Sequence, residues 1–213
     1  MDHEQTFSES GKVSPLLDSV QARIDRPIVL VGMMGVGKTS LGKRLAAALG
    51  VSFVDADDEI EKAAQMAIPE IFSTYGEAFF RDGERRVIAR LLGVPEAAPK
   101  GLSLPPAAPR SGVKVISTGG GAFVDDATRA LILERGIALW LDADLDTLVE
   151  RTARKDNRPL LRGGNPREIL GNLREARKPF YSQAPIKVMS GNIPHAKTLA
   201  RVFEALDAWL GPK

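Results

Sequence analysis

Residues 32–39 read GMMGVGKT. They fit G-x-x-x-x-G-K-[ST] at every fixed position, between an apolar run and a helix-forming segment, the setting a phosphate-cradling loop requires. Gly32, Gly35 and Gly37 let the backbone wrap closely, so that its N–H groups face phosphate oxygens. The helix that follows offers its positive end. Lys38 has the reach for the β- and γ-phosphates of a nucleotide, and the Thr39 hydroxyl is of the type that ligates Mg²⁺. The stretch Gly35, Val36, Gly37, Lys38, Thr39 and Ser40 is therefore the expected ATP-binding segment. A glycine-rich turn with an accidental lysine is the bland alternative. The motif names no second substrate, because GTPases, motors, transporter ATPases and small-metabolite kinases share it. The chain is short for a motor, and it has neither an NKxD-like guanine reader nor a transporter signature loop. A small kinase is favoured.

Three further stretches carry chemistry-bearing residues. FVDADDEIE (53–61) puts Asp55 at the end of an apolar run, with Asp57 two residues on. On an extended chain both side chains project to one side. One carboxylate suits a metal ion held through water, the other a substrate hydroxyl. Asp57, Asp58 and Glu59 would equally suit a helix N-terminus with extra acids. VKVISTGGGAF (113–123) runs from an apolar stretch into Gly119, Gly120 and Gly121, where a carboxylate metal anchor would otherwise be expected. Without side chains there, backbone N–H groups are free to approach a hydroxylated ring or a phosphate; a flexible turn is the alternative. Finally, Arg151, Arg154, Lys155, Arg158 and Arg162 fall within twelve residues, opposed by Asp156. A solvated basic loop explains them, and a nucleic-acid patch lacks the interleaved aromatics that stack bases.

The elements that must position these residues follow from hydrophobic patterning. PIVLV (27–31), VSFVD (51–55), VKVIS (113–117), IALWLD (137–142) and IKVM (186–189) read as five short strands. Helices are expected over 38–50, 57–66, 69–92, 125–136, 144–154, 166–183 and 193–210, with Pro69 in a first turn and Gly76 as a break. Strands alternating with helices imply a parallel sheet covered on both faces, whose ligands bind outside the carboxyl ends of the strands. Residues 1–26 lack periodicity and are expected to be a mobile extension, with a short helix near Leu16–Ile24. Residues 93–112 hold five prolines and three glycines and read as a surface loop or insertion. The remainder, 27–213, is expected to be one domain.

Bulk properties narrow the class. The chain has 213 residues, 44% hydrophobic and 26% charged, with a net charge of +2. Near-balanced charge argues against nucleic acid as the main partner. With no cysteine, thiolate metal sites are ruled out, and with only His3 and His195 a histidine-rich metal site is not expected. No apolar run reaches spanning length and the acidic start is unlike a signal peptide, so a cytoplasmic protein with no membrane partner is expected.

Taken in order, GMMGVGKT, FVDADDEIE, IFSTYGEAFFRDGE, STGGGAF, NRPLL and REARKPFY resemble the motif set of the shikimate kinases, over roughly residues 27–210. The resemblance implies a three-layer P-loop NTPase fold of the nucleoside-monophosphate-kinase type, with a five-stranded parallel sheet in the order 2-3-1-4-5 flanked by helices. It implies transfer of the ATP γ-phosphate to the 3-hydroxyl of shikimate, a step toward chorismate and the aromatic amino acids, with Mg²⁺ as cofactor and a monomeric enzyme. It assigns Lys38, Asp57 and Arg158 as catalytic groups and Arg81 and Arg177 as the clamp on the substrate carboxylate, oriented in part by Glu84. Gly119, Gly120 and Gly121 would meet substrate. Thr39 would hold the metal directly, with Asp55 and Ser117 acting through water. Residues 56–92 would form the substrate-binding region and 151–166 the lid. Arg151 and Pro194 would lie against the adenine, and Arg158 would reach the transferring phosphoryl group. On the residues alone, a surface ion pair of Arg81 with Glu84, and Arg177 as a solvated helix residue, are the favoured readings. Two departures stand out: the long proline-rich stretch, and Asp82 where a second basic residue is usual, followed by Gly83, which is expected to interrupt the helix before Glu84. A gluconate-kinase-like enzyme of the same fold, or a protein using ATP as a switch, are the competing readings.

Overall fold

The computed structural model describes residues 15–94, 112–153 and 164–212. Arg158, most of the expected lid and most of the proline-rich stretch lie outside the described residues, as do residues 1–14.

The most apolar segment of the sequence is the centre of the molecule. Strand β1 (Ile28–Val31) is buried along its whole length, as befits a strand covered on both faces. It pairs in parallel with β3 (Lys114–Ser117) on one side and β4 (Ile137–Asp142) on the other. β2 (Ser52–Asp55) extends the sheet beyond β3, and β5 (Ile186–Met189) extends it beyond β4. The order is β2-β3-β1-β4-β5, as expected from the resemblance. The edges are less apolar than the centre, and β5 alternates buried and exposed residues. The register sets the site: Ser117, at the carboxyl end of β3, lies beside Leu30 of β1 and Asp55 of β2.

Helices α1 (15–23), α2 (Lys38–Leu49), α3 (Ala56–Ala64), α4 (Ile68–Leu91), α5 (Asp126–Arg135), α6 (Leu145–Ala153), α7 (Pro166–Tyr181) and α8 (His195–Leu210) flank the sheet. α2 starts directly after the phosphate loop and stops at Gly50 in a left-handed cap. It approaches the sheet closely through Gly42, where a Cβ would stand 2.5 Å from the Phe53 ring.

Three expectations are corrected. Residues 15–26 belong to the folded body: Val20 and Ile24 are buried in the core, and Ser19 and Arg23 hydrogen-bond to Asp207 of α8. An amphipathic segment this short shows its apolar face only once the surface it covers is known. Gly83 does not interrupt α4, which runs through it with Glu84 buried on the core side; one glycine in a long packed helix costs only about 1 kcal/mol. Asp57 is not on an extended chain. Asp55 ends β2 and caps α3, its carboxylate accepting from the Asp57 N–H at 3.2 Å, so Asp57 stands in the first helical turn. The break at Gly76 is present, at φ 79° and ψ 175°, a conformation open essentially to glycine alone.

Candidate active site

A cleft of about 660 Å³ opens at the carboxyl edge of the sheet. The phosphate loop and the start of α2 form one wall, Asp55, Asp57 and Asp58 a second, and residues Ser117–Gly120 the floor. The loop is built as its glycines suggest. Gly32 adopts φ 136°, and a Cβ there would sit 2.2 Å from the Leu141 carbonyl oxygen of β4. Gly37, at φ 99°, turns the chain into α2. Lys38 is buried, with Nζ donating to the carbonyls of Gly32 at 2.8 Å and Met33 at 2.9 Å. Its ammonium is thus held within the loop, where phosphate oxygens would enter.

Thr39 and Asp55 are in direct contact: the hydroxyl donates to Asp55 Oδ2 at 2.8 Å. With Ser117 beside Asp55 in register, the corner offers only hydroxyl and carboxylate oxygens. Among the described residues no three His, Asp or Glu side chains form a ready-made cage. Few protein ligands, all hard oxygens, fit a Mg²⁺ ion that keeps its waters and shares phosphate oxygens.

The three glycines make room for functional side chains. A Cβ on Gly119 would stand 2.9 Å from Asp57 Oδ1 and 2.9 Å from Glu84 Oε1. One on Gly120 would stand 3.3 Å from both Arg177 Nη1 and the Met34 N–H nitrogen of the phosphate loop. One on Gly121 would stand 2.6 Å from both terminal nitrogens of Arg81. None of the three has a positive φ. Their requirement is space, and the sequence argument from close backbone approach is sharpened accordingly. Each glycine faces a different group of the expected substrate set.

These groups come from separate helices. On α4, Arg81 Nη1 donates to the buried Glu84 at 2.6 Å, while Nε and Nη2 donate to Glu77 at 3.3 and 3.1 Å. The guanidinium is thereby fixed with its terminal nitrogens toward Gly121. On α7, Arg177 Nη1 donates to the Gly120 carbonyl at 3.0 Å. On α3, Asp57 Oδ1 is buried without a hydrogen-bond partner among the described residues, and Glu84 Oε1 shares that state. Two buried acceptors without donors mark a place where a hydroxylated ligand would satisfy them. Burial, reinforced by the charges of Asp55 and Glu84 and opposed by Lys38, pushes the Asp57 carboxyl up to about 6. Burial also raises that of Glu84, against the pull of Arg81. A surface ion pair does not describe Arg81 and Glu84, since Glu84 is only 2% exposed.

Arg151 reaches from α6 beneath the phosphate loop. It donates to the carbonyls of Val36 at 3.2 Å and Gly191 at 2.8 Å, and to Ser190 Oγ at 3.1 Å. Ser190 in turn donates to the Val36 carbonyl at 3.0 Å. Pro194 stands at the N-cap of α8, on the same β5–α8 turn. The resemblance matched SGNIPHA (190–196) to an adenine-cradling turn but took only Pro194 from it, giving Ser190 no role of its own, and it left Tyr181 without a role although that residue lies one helical turn beyond Arg177. The Tyr181 hydroxyl donates to the Gly120 carbonyl.

The family model described as shikimate kinase matches residues 34–95 and 107–207. A shikimate kinase of Novosphingobium aromaticivorans is 58% identical over 210 residues, covering 99% of this chain and 100% of that protein. One of Paramagnetospirillum magneticum is 47% identical over 95% of this chain and 93% of its own length. The solved structure of the shikimate kinase from Acinetobacter baumannii in complex with shikimate superimposes with a TM-score of 0.73 at 34% identity, covering 88% of this chain and 96% of that one. The chain belongs to the shikimate kinase family.

Proposed function

We propose that this protein transfers the γ-phosphoryl group of ATP to the 3-hydroxyl of shikimate, giving ADP and shikimate 3-phosphate, with the residue roles that follow. The observation that carries the roles is the convergence of Asp57, Arg81 and Arg177, from three helices, on the glycines beside the phosphate loop. Shikimate is a carboxylated ring with three hydroxyls, and this pocket offers cationic forks at one side and an unsatisfied carboxylate at the other.

ATP phosphates lie along the N–H groups of Gly35, Val36, Gly37, Lys38, Thr39 and Ser40, at the positive end of α2. Thr39, with Asp55 and Ser117 through water, would hold Mg²⁺, which when bound neutralises phosphate charge. Arg151 and Pro194 flank the adenine, with Arg151 already braced against Val36 and Gly191. Arg81 and Arg177 each donate to the substrate carboxylate, a pairing suited to the planar guanidinium. Glu84 and Glu77 keep Arg81 aimed.

Asp57 accepts from the 3-hydroxyl. Ionised above a pKa of about 6, it is poised to take the hydroxyl proton as the 3-hydroxyl oxygen bonds to the γ-phosphorus. The bond from that phosphorus to the β–γ bridging oxygen breaks, and the electron pair leaves with ADP. Lys38 spreads the charge of the transferring group, and Arg158 is assigned the same task by resemblance. The enzyme works as a cytoplasmic monomer in this reading.

Coupled ADP release measured with shikimate, gluconate and nucleoside monophosphates tests the assignment. Release that depends on shikimate alone is expected. ADP release that ignores shikimate would overturn it.

A further inference from the structure

The Gly120 carbonyl accepts two hydrogen bonds, and both donors lie on α7. Arg177 Nη1 donates at 3.0 Å, and the Tyr181 hydroxyl donates to the same oxygen. The two residues are four apart on a helix and so share one face. Tyr181 is 1% exposed. Its ring stacks on Trp140 with centroids 5.9 Å apart, and the Lys187 ammonium covers the Trp140 ring at 4.0 Å. The hydroxyl is therefore fixed in place. Burial pushes its pKa up to about 12, against the pull of Arg177, so it remains a donor throughout the neutral range.

A carbonyl oxygen has two lone pairs, and here both are in use. The two donors are not equivalent. Tyr181 is almost wholly buried and held by its packing, whereas Arg177 is needed elsewhere when a carboxylate arrives. If Arg177 were the only partner, drawing it toward substrate would strip a carbonyl inside the site, and that cost would be subtracted from substrate affinity.

We propose that Tyr181 is a positioning residue for carboxylate recognition: it keeps the Gly120 carbonyl satisfied and in place while Arg177 turns to the substrate. This rests on the reading of Arg177 as a carboxylate ligand.

Tyr181→Phe tests this, since the phenyl ring retains the Trp140 stack and loses only the donor. The expected result is a rise of about tenfold in the shikimate KM, the cost of one unmade buried hydrogen bond. The KM for ATP and kcat stay within about twofold of the parent, since neither depends on this carbonyl. Binding of shikimate without nucleotide weakens by the same factor. In an Arg177→Ala background the Tyr181→Phe change adds nothing further, because no arginine is left to release. An unchanged shikimate KM in Tyr181→Phe, an equal loss in the ATP KM, or additive effects of the two substitutions would each overturn the proposal. A parent enzyme without shikimate-dependent ADP release would instead overturn the functional reading itself.

Discussion

Replacing Asp57 by Asn is expected to stabilise the protein while disabling it. The Asp57 carboxyl has a folded-state pKa of about 6 against an ordinary value of 3.8, raised by burial and then by Asp55 and Glu84. The folded state therefore holds this proton more tightly than the unfolded chain does. The stability linked to it is fully present below about pH 4 and is lost as pH rises through about 6. Above that, the folded protein carries an ionised, buried carboxylate whose Oδ1 has no hydrogen-bond partner among the described residues. A shift of roughly 2 pK units corresponds to about 3 kcal/mol. An asparagine of the same shape is neutral at every pH and escapes that cost. Its amide nitrogen would also face Glu84 Oε1, since both Asp57 Oδ1 and Glu84 Oε1 converge on the space beside Gly119. Urea unfolding of the parent and the variant between pH 4 and pH 8 reads the difference. The variant gains up to about 3 kcal/mol at pH 8, or roughly 6–12 °C in Tm, and the gain fades toward pH 4. Turnover falls by at least about 100-fold, because an amide accepts no proton. A stability difference that does not vary with pH, or a variant less stable at pH 8, would refute the electrostatic reasoning. Near-normal turnover would refute the role given to Asp57.

Four further outcomes follow from the same geometry. Gly121→Ala places a methyl 2.6 Å from both terminal nitrogens of Arg81, so steady-state kinetics should show a large rise in the shikimate KM with ATP binding kept. Gly120→Ala, at 3.3 Å from Arg177 and from the phosphate-loop nitrogen of Met34, should be milder and be felt by both substrates. Ser190→Ala removes a donor from the Val36 carbonyl and an acceptor from Arg151, and is expected to raise the ATP KM several-fold at constant shikimate KM. Gly76→Ala forces a side chain into φ 79° and ψ 175°, which should cost about 1–3 kcal/mol in a denaturant titration.

Much of the fold was legible because its signals are local. β1 and β4 are continuous apolar runs, and Gly50 and Gly136 end their helices as the sequence suggests. The phosphate loop is equally local, since its chemistry is carried by backbone N–H groups whose arrangement depends on glycine placement. Non-local facts were harder. Whether residues 15–26 join the core depends on α2 and α8, far away in sequence. Whether Gly83 breaks a helix depends on what the helix packs against. The position of Asp57 turned on a cap made by Asp55, which moved it from a strand end into a helical turn.

By itself the sequence determined the order of strands and helices along the chain, the nucleotide loop, and the residue types able to grip a carboxylate and a hydroxyl. Only the tertiary structure decided what those residues face. Arg81, Asp57 and Arg177 lie on three helices, and it is the parallel sheet, with β3 between β2 and β1, that brings the glycine loop among them. The glycines, which read in one dimension as a gap where a metal anchor belongs, are in three dimensions the space those side chains occupy. Steric exclusion between residues distant in sequence leaves no trace in local pattern, and so that requirement appears only when the chain is folded.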